Sequence, residues 1–299
     1  TFSTTSALVK RLETRKITNS CGAGANDALA LPDQLLQLLP EDQDDAAAEA
    51  LFHDFFPVSP SYTLLDSHGQ YSGAPNPRST DKAHLYQRPD GSNVTLEHWQ
   101  SAWRRFLDRC ETLVVFSPSS QRILTKCYPD MAERITLRPH HVADIPVHPV
   151  RIHNSSEICI GILGNIGFHK GIEVIRDAAL TFLNTPQVRF VIIGEADLVY
   201  VLPPNVVVHG AYDRTDISEL AKLYQINRWL IPSIWPETFS FATHDCLATG
   251  LPVMCFDLGG QGDAVRAHPN GHVLPFGPGR DPTDDLVQAV REQYQTVLA

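Results

Sequence analysis

Apolar residues are spaced most regularly in the carboxy-terminal half of this chain. Ile158 to Leu163, Val188 to Ile193 and Trp229 to Ile231 are short apolar runs with the length and β-branched content of buried strands. Pro252 to Phe256 and His272 to Leu274 repeat the pattern, and Val206 to Val208 is a shorter example. Between these runs the period becomes helical. Ile172, Ile175, Ala179 and Phe182 share one face of a helix predicted over 172–183. Asp216 and Glu219 predict a capping box that opens a helix reaching Tyr224. Asp281-Pro282 starts a last helix with Leu286, Val290 and Val297 on one side. Strands alternating with helices predict a parallel, doubly wound sheet with right-handed crossovers.

The amino-terminal half is less regular. Thr95 caps a helix whose Leu96, Trp99, Trp103, Phe106 and Cys110 fall on one face. Leu113 to Phe116 reads as a buried strand, Ser117-Pro118 as the start of the next helix, and Ile135 to Leu137 as a short strand. Leu31 to Leu39 is a short helix beginning at Pro32. Cys21 to Asp27 contains two glycines, but no apolar run precedes it and no Gly-Lys-Ser/Thr follows, so it reads as a connection. Glu41 to Asp45 is a solvated turn leading into the alanine-rich stretch Ala46 to Leu51. On this reading no strand precedes His53. Tyr71 to Gly91 is a long polar loop. His140, His141, His148 and His153 follow no helical face and have only Asp144 among them, which favours an interdomain linker over a metal centre. That linker, about 142–156, divides the chain into domains 1–147 and 148–299.

Composition narrows the functional classes. Hydrophobic content of 43% and charged content of 19% over 299 residues fit globular domains with ordinary cores. A net charge of -10 argues against a general nucleic-acid or anionic-membrane surface while leaving room for a local basic pocket. No apolar run approaches the roughly 20 residues of a membrane span, and Thr1 to Arg15 lacks the apolar segment expected of a secretory signal. The six cysteines form no C-x-x-C pair, and Cys159 and Cys255 sit inside apolar runs, which predicts a reducing, cytoplasmic setting.

Two stretches carry chemistry. In Gly164-Asn-Ile-Gly-Phe-His-Lys-Gly171 a strand ends, a glycine-containing loop turns and a helix begins. A helix start of this kind offers N–H groups and a positive dipole end to an anion, and Lys170 adds a full charge. In Trp229 to Gly262 a strand passes through Pro232-Ser233 and Pro236-Glu237 into a helix capped by Thr238 or Ser240, running to about Thr249 and terminated by Gly250. It places Glu237 in the loop and Asp245 on the helix. A third block, His53-Asp-Phe-Phe-Pro, concentrates a histidine, a carboxylate and aromatics before a proline.

The succession of the Gly164–Gly171 loop, Ile192-Ile193-Gly194, His209-Gly210, Pro232-Ser233, Glu237 and Asp245, Gly250-Leu-Pro-Val253 and Gly259-Gly260 resembles the nucleotide-binding domain of retaining GT-B glycosyltransferases, family 4 in particular. The resemblance covers about 157–280. His53-Asp-Phe-Phe-Pro and Ser117 through His140 are similar to the amino-terminal half of polysaccharide-assembly members.

The resemblance implies an α/β GT-B fold of two Rossmann-like domains facing a cleft, with a short or atypical acceptor-side domain. It implies a metal-independent hexosyltransferase, without cofactor, that moves a sugar from a nucleotide-sugar to a glycan or lipid-linked acceptor. Peripheral membrane or glycan-assembly partners are a further expectation, and nucleic acid is not a partner. Glu237 and His53 are the implied catalytic residues, with His53 reaching the donor sugar from the other domain. Lys170 would bind the diphosphate beside Gly164, Asn165 and Gly167. Amides near Thr238, Phe239, Ser240 and Phe241 would meet sugar and phosphate. Asp245 would hold the ribose hydroxyls, and Gly210 to Asp213, Tyr212 included, would lie near the base. Two positions depart from the family pattern: Asn165 stands at the family's arginine, and Asp245 at its second glutamate. A catalytically inactive nucleotide- or glycan-binding relative is the alternative.

Overall fold

The computed structural model describes residues 10–13, 27–39, 48–142, 146–151 and 156–298. The expectations for Cys21 to Asn26, Glu41 to Ala47, Asp144 and His153 lie outside them. The chain forms two compact units, 1–140 and 141–299.

The first unit is built on a four-stranded parallel sheet. Its strands are β1 (Lys10–Glu13), β2 (Ala48–Leu51), β5 (Thr112–Val115) and β6 (Ile135–Leu137), in the spatial order β1-β2-β5-β6. A small antiparallel pair, β3 (Tyr86–Gln87) and β4 (Asn93–Val94), interrupts the loop expected at Tyr71 to Gly91. Three helices accompany the sheet: α1 (Leu31–Leu36), α2 (Leu96–Leu107) and α3 (Pro118–Cys127). Thr95 and Ser117 cap α2 and α3, their hydroxyls accepting from His98 N and Ser120 N. Trp99 and Trp103 of α2 are fully buried against Phe56.

The expectation that no strand precedes His53 is overturned by β1 and β2. Ala48-Glu-Ala-Leu51 has little intrinsic strand character. It is a strand because it is held between β1 and β5, with Ala48 and Ala50 buried. Here tertiary pairing overrides propensity.

The second unit carries a six-stranded parallel sheet of β7 (Ile158–Leu163), β8 (Val188–Ile193), β9 (Val206–Val208), β10 (Arg228–Ile231), β11 (Val253–Phe256) and β12 (Gly271–Leu274). Their spatial order is β12-β11-β10-β7-β8-β9. Its helices are α4 (Ile172–Thr181), α5 (Ile217–Leu223), α6 (Phe241–Ala248), α7 (Gly259–Arg266) and α8 (Pro282–Leu298). β7, β8 and β11 are buried on both faces apart from Arg189, as the continuous apolar runs require. Val147 and Val150 pack into this unit's core, and Val150 N donates to the Thr249 carbonyl.

One local expectation needs correction. Asp216 and Glu219 form no capping box: a single 3-10 turn, Arg214–Asp216, feeds directly into α5, and Asp216 makes no side-chain cap bond. Glu219 pairs with Lys222 instead. Gly259–Arg266 is a helix that its glycine-rich sequence does not advertise.

Candidate functional site

The site forms where the strand order of the second sheet reverses. β7 and β10 are neighbours, but the chain leaves β7 towards β8 and β10 towards β11, on opposite sides. In open parallel sheets, the loops at the carboxyl ends of such a pair leave a crevice that accepts ligands. Here these are the loops following Leu163 and Ile231.

Close contact between the loops depends on Gly171. It has φ 79° and joins the short turn Phe168–Lys170 to α4. A Cβ at this position would lie 2.1 Å from the Pro232 carbonyl oxygen. Beside it, Ile234 N donates to the His169 carbonyl at 3.1 Å. The approach brings Lys170 Nζ to 2.7 Å from Glu237 Oε1. Ser233 Oγ donates to the same oxygen. Glu237's side chain is 6% exposed and Lys170's 29%, so the carboxylate is enclosed while the ammonium keeps a face towards solvent. The buried Trp235 ring lies 6.0 Å from Nζ and packs edge-on to His169.

α7 locks this loop from behind. Gln261, fully buried, donates from Nε2 to the Trp235 carbonyl and accepts from Glu237 N through Oε1. Gly260 N donates to the Glu237 carbonyl at 2.7 Å. Both backbone polar groups of Glu237 are therefore satisfied, as its burial demands.

α6 leaves the same loop, with Ser240 as N-cap and Ser240 Oγ accepting from Thr243 N. Thr238 and Ser240 are buried, Phe239 is half-buried, and Phe241 is exposed. Phe239 stacks on His244 and meets Phe241 edge-on. Asp245, on the second turn, is buried and held by Arg214. Arg214 Nε lies 2.9 Å and 2.8 Å from Oδ1 and Oδ2, and Nη2 lies 2.6 Å from Oδ1. Tyr212 stands close by: burial first, then the Cys246 and Asp245 charges, push its hydroxyl up to about 12 against the opposing pull of Arg214. Tyr212, Asp213 and His209 help line an open depression of about 930 Å³. Gly210 has φ 93° and bridges to Gly194.

Thus Lys170 and Glu237, predicted as partners at one site, form an ion pair. Gly164, Asn165 and Gly167 lie in the same loop as Lys170, with Asn165 exposed. Asp245 and Tyr212 adjoin one another through Arg214. His53 belongs to the first unit, where its ring stacks on Phe116 at 4.6 Å and lies 5.5 Å from that of His140. Arg214, Ser233, Trp235 and Gln261 were not anticipated. Arg214 meets Asp245 across 31 positions of sequence, and no local pattern signals such a pairing.

The histidines give the fold a pH dependence. Burial is the first cause lowering the His84, His169 and His244 imidazoles from their ordinary value of 6.5; Lys170 adds to it at His169 and Arg214 at His244. The unfolded chain therefore takes up these protons before the native one does. Stability should be fully present above about pH 6.5 and fall as the pH drops towards the lowered native values. Denaturant midpoints at pH 7.5 and 5.5 test the sign; an equal or higher midpoint at pH 5.5 contradicts it.

Comparison with known proteins bears on the family and the fold. Residues 157–296 match the family model described as glycosyl transferases group 1. Over 145 residues the chain is 30% identical to a GDP-mannose-dependent alpha-mannosyltransferase of Mycobacterium tuberculosis (strain CDC 1551 / Oshkosh), a match covering 47% of this chain and 36% of that protein. Sucrose-phosphate synthase of Thermosynechococcus elongatus is structurally similar with a TM-score of 0.58 at 16% identity, covering 91% of this chain and 63% of that one. Anabaena HepE in complex with UDP-glucose has a TM-score of 0.57 at 17% identity, covering 85% and 64%. The chain spans about a third of the length of the curated relative and under two thirds of these solved chains. Among the described residues no helix is long and apolar enough to cross a membrane. Residues 157–296 are therefore similar to a glycosyl transferases group 1 domain, and the chain has the fold of the GT-B glycosyltransferases.

Proposed function

We propose that the chain binds a nucleoside-diphosphate sugar at the β7/β10 crevice and transfers the sugar, with retention of anomeric configuration, to a glycan or lipid-linked acceptor. The observation carrying this reading is the Lys170–Glu237 pair, set between the two loops of the crevice and ahead of the α6 N-terminus. A departing nucleoside diphosphate accumulates negative charge. Lys170 and the positive end of α6 are preorganised to meet it. Glu237 orients donor hydroxyls and supports positive charge developing at the anomeric carbon. Gly164, Asn165, Gly167 and the Thr238–Phe241 backbone frame the phosphates and sugar, Asp245 takes the ribose, and Gly210 with Tyr212 borders the base.

On this reading His53 is the second catalytic residue. The named relatives fit such a donor class, one being GDP-mannose-dependent and another a complex with UDP-glucose. Cations and helix dipoles supply the charge compensation, so transfer proceeds in chelator without a divalent metal. A cytoplasmic location and a hexosyl donor belong to the same reading.

The test is proton NMR of the sugar released from UDP- and GDP-hexoses in the presence of EDTA. The first-formed sugar should keep the donor's anomeric configuration. An inverted product, or activity that returns only with added metal, contradicts the proposal. Nucleotide binding without any hydrolysis or transfer favours the inactive, binding-only reading, which Asn165 at the arginine position suggests.

A further inference from the structure

Asp245 is one methylene shorter than the glutamate that the motif leads one to expect, and it is buried with its side chain 5% exposed. A short, enclosed carboxylate has little freedom to find a ligand. Arg214 supplies what the missing methylene removes. Its Nε spans both carboxylate oxygens and its Nη2 binds Oδ1, so the plane of the carboxylate is fixed by three contacts. Oδ1 receives two of them and Oδ2 one, leaving Oδ2 the oxygen with more open acceptor capacity. The arginine's other surroundings fix it in turn. Its guanidinium carbon lies 5.9 Å from the Phe241 ring, at the first residue of α6, and its side chain is 41% exposed. The planar fork is the part that lysine cannot reproduce.

We infer that Arg214 is a positioning residue for the nucleotide: it holds Asp245 so that Oδ2 accepts from the ribose hydroxyls, and the discrimination between a ribose and a deoxyribose nucleotide depends on it. This inference rests on the donor-site reading above and adds to it a residue outside the sequence motif.

The measurement is isothermal titration of the whole chain with UDP, GDP and ADP and with the 2′-deoxy and 3′-deoxy forms of each. For whichever base binds, the wild type should favour the ribonucleotide over at least one deoxy form by about tenfold, the value of a hydrogen bond to a charged group. In Arg214→Gln and Arg214→Lys that ratio should collapse towards one, as it should in Asp245→Asn. Binding of the deoxy forms should change much less. Thermal melts identify any variant that fails to fold, and Arg214→Lys, which keeps the charge and most of the volume, then carries the comparison. A ratio unchanged in folded Arg214 variants, or an equal loss for ribo and deoxy forms, overturns the inference while leaving the donor site standing. Tighter ribonucleotide binding on removing Arg214 also overturns it, by showing that the arginine masks Asp245. If the wild type binds none of the nucleotides, the donor-site reading itself fails, and this inference with it.

Discussion

Gly171→Ala should unfold or loosen the second unit and separate Lys170 from Glu237. The new methyl has no room, because its Cβ position lies 2.1 Å from the Pro232 carbonyl oxygen and this neighbour is backbone rather than a movable side-chain end. The residue also sits at φ 79°, a left-handed conformation that costs an alanine about 1–2 kcal/mol before any clash is counted. With overpacking added, the expected loss is about 3 kcal/mol or more. That corresponds to a melting point lower by roughly 6–12 °C for a unit of this size. The functional consequence follows from position. Gly171 is where the loop after β7 touches the loop after β10, so relieving the clash widens the gap that the 2.7 Å ion pair now spans. Nucleotide affinity should fall with stability. A melting point within 2 °C of wild type, measured by calorimetry or circular dichroism, would show that the loops are not in the contact described.

Glu237→Gln should instead leave the fold nearly intact and remove the reaction. Glutamine keeps the side chain's shape, can still accept from Ser233 Oγ, and leaves the backbone bonds to Gln261 and Gly260 untouched. Lys170 loses its partner but keeps a solvent-facing surface through which water can replace it. What disappears is the buried negative charge. Removing one preorganised electrostatic contact of this kind commonly costs about 10²–10³ in turnover. The predicted signature is a kcat lower by that factor with a melting point close to wild type. A Glu237→Gln enzyme with wild-type kcat would remove Glu237 from the catalytic assignment.

The two variants probe different levels of the same construction, and those levels were unequally legible. The crevice could be read in advance because its elements are local. Apolar runs mark β7 and β10, glycines mark the turn, and Ser240 announces the start of α6. Lys170 and Glu237 each lie in a loop so marked, and the family resemblance is what assigned them to one site. The amino-terminal strands were not legible, since Ala48–Leu51 and Lys10–Glu13 owe their extended form to neighbours in the sheet and not to their own residues. The helix Gly259–Arg266 was hidden by glycines that suggest a loop. Gly259 has φ 60°, and a Cβ there would stand 2.6 Å from Glu237 N; its glycine serves the packing of the loop that carries Glu237. Arg214 was missed for a related reason. Its value comes from a partner 31 residues away, and the local capping pattern at Asp216 and Glu219 is one the structure does not use.

On the proposed reading the β7/β10 crevice is a nucleotide site built on Lys170. Isothermal titration of the wild type and Lys170→Ala with UDP, GDP, dTDP and CMP tests it most directly. The wild type should bind at least one of these nucleotides saturably, and Lys170→Ala should lose about tenfold or more in affinity. No binding of any of the four, or binding unchanged by the loss of Lys170, would contradict it.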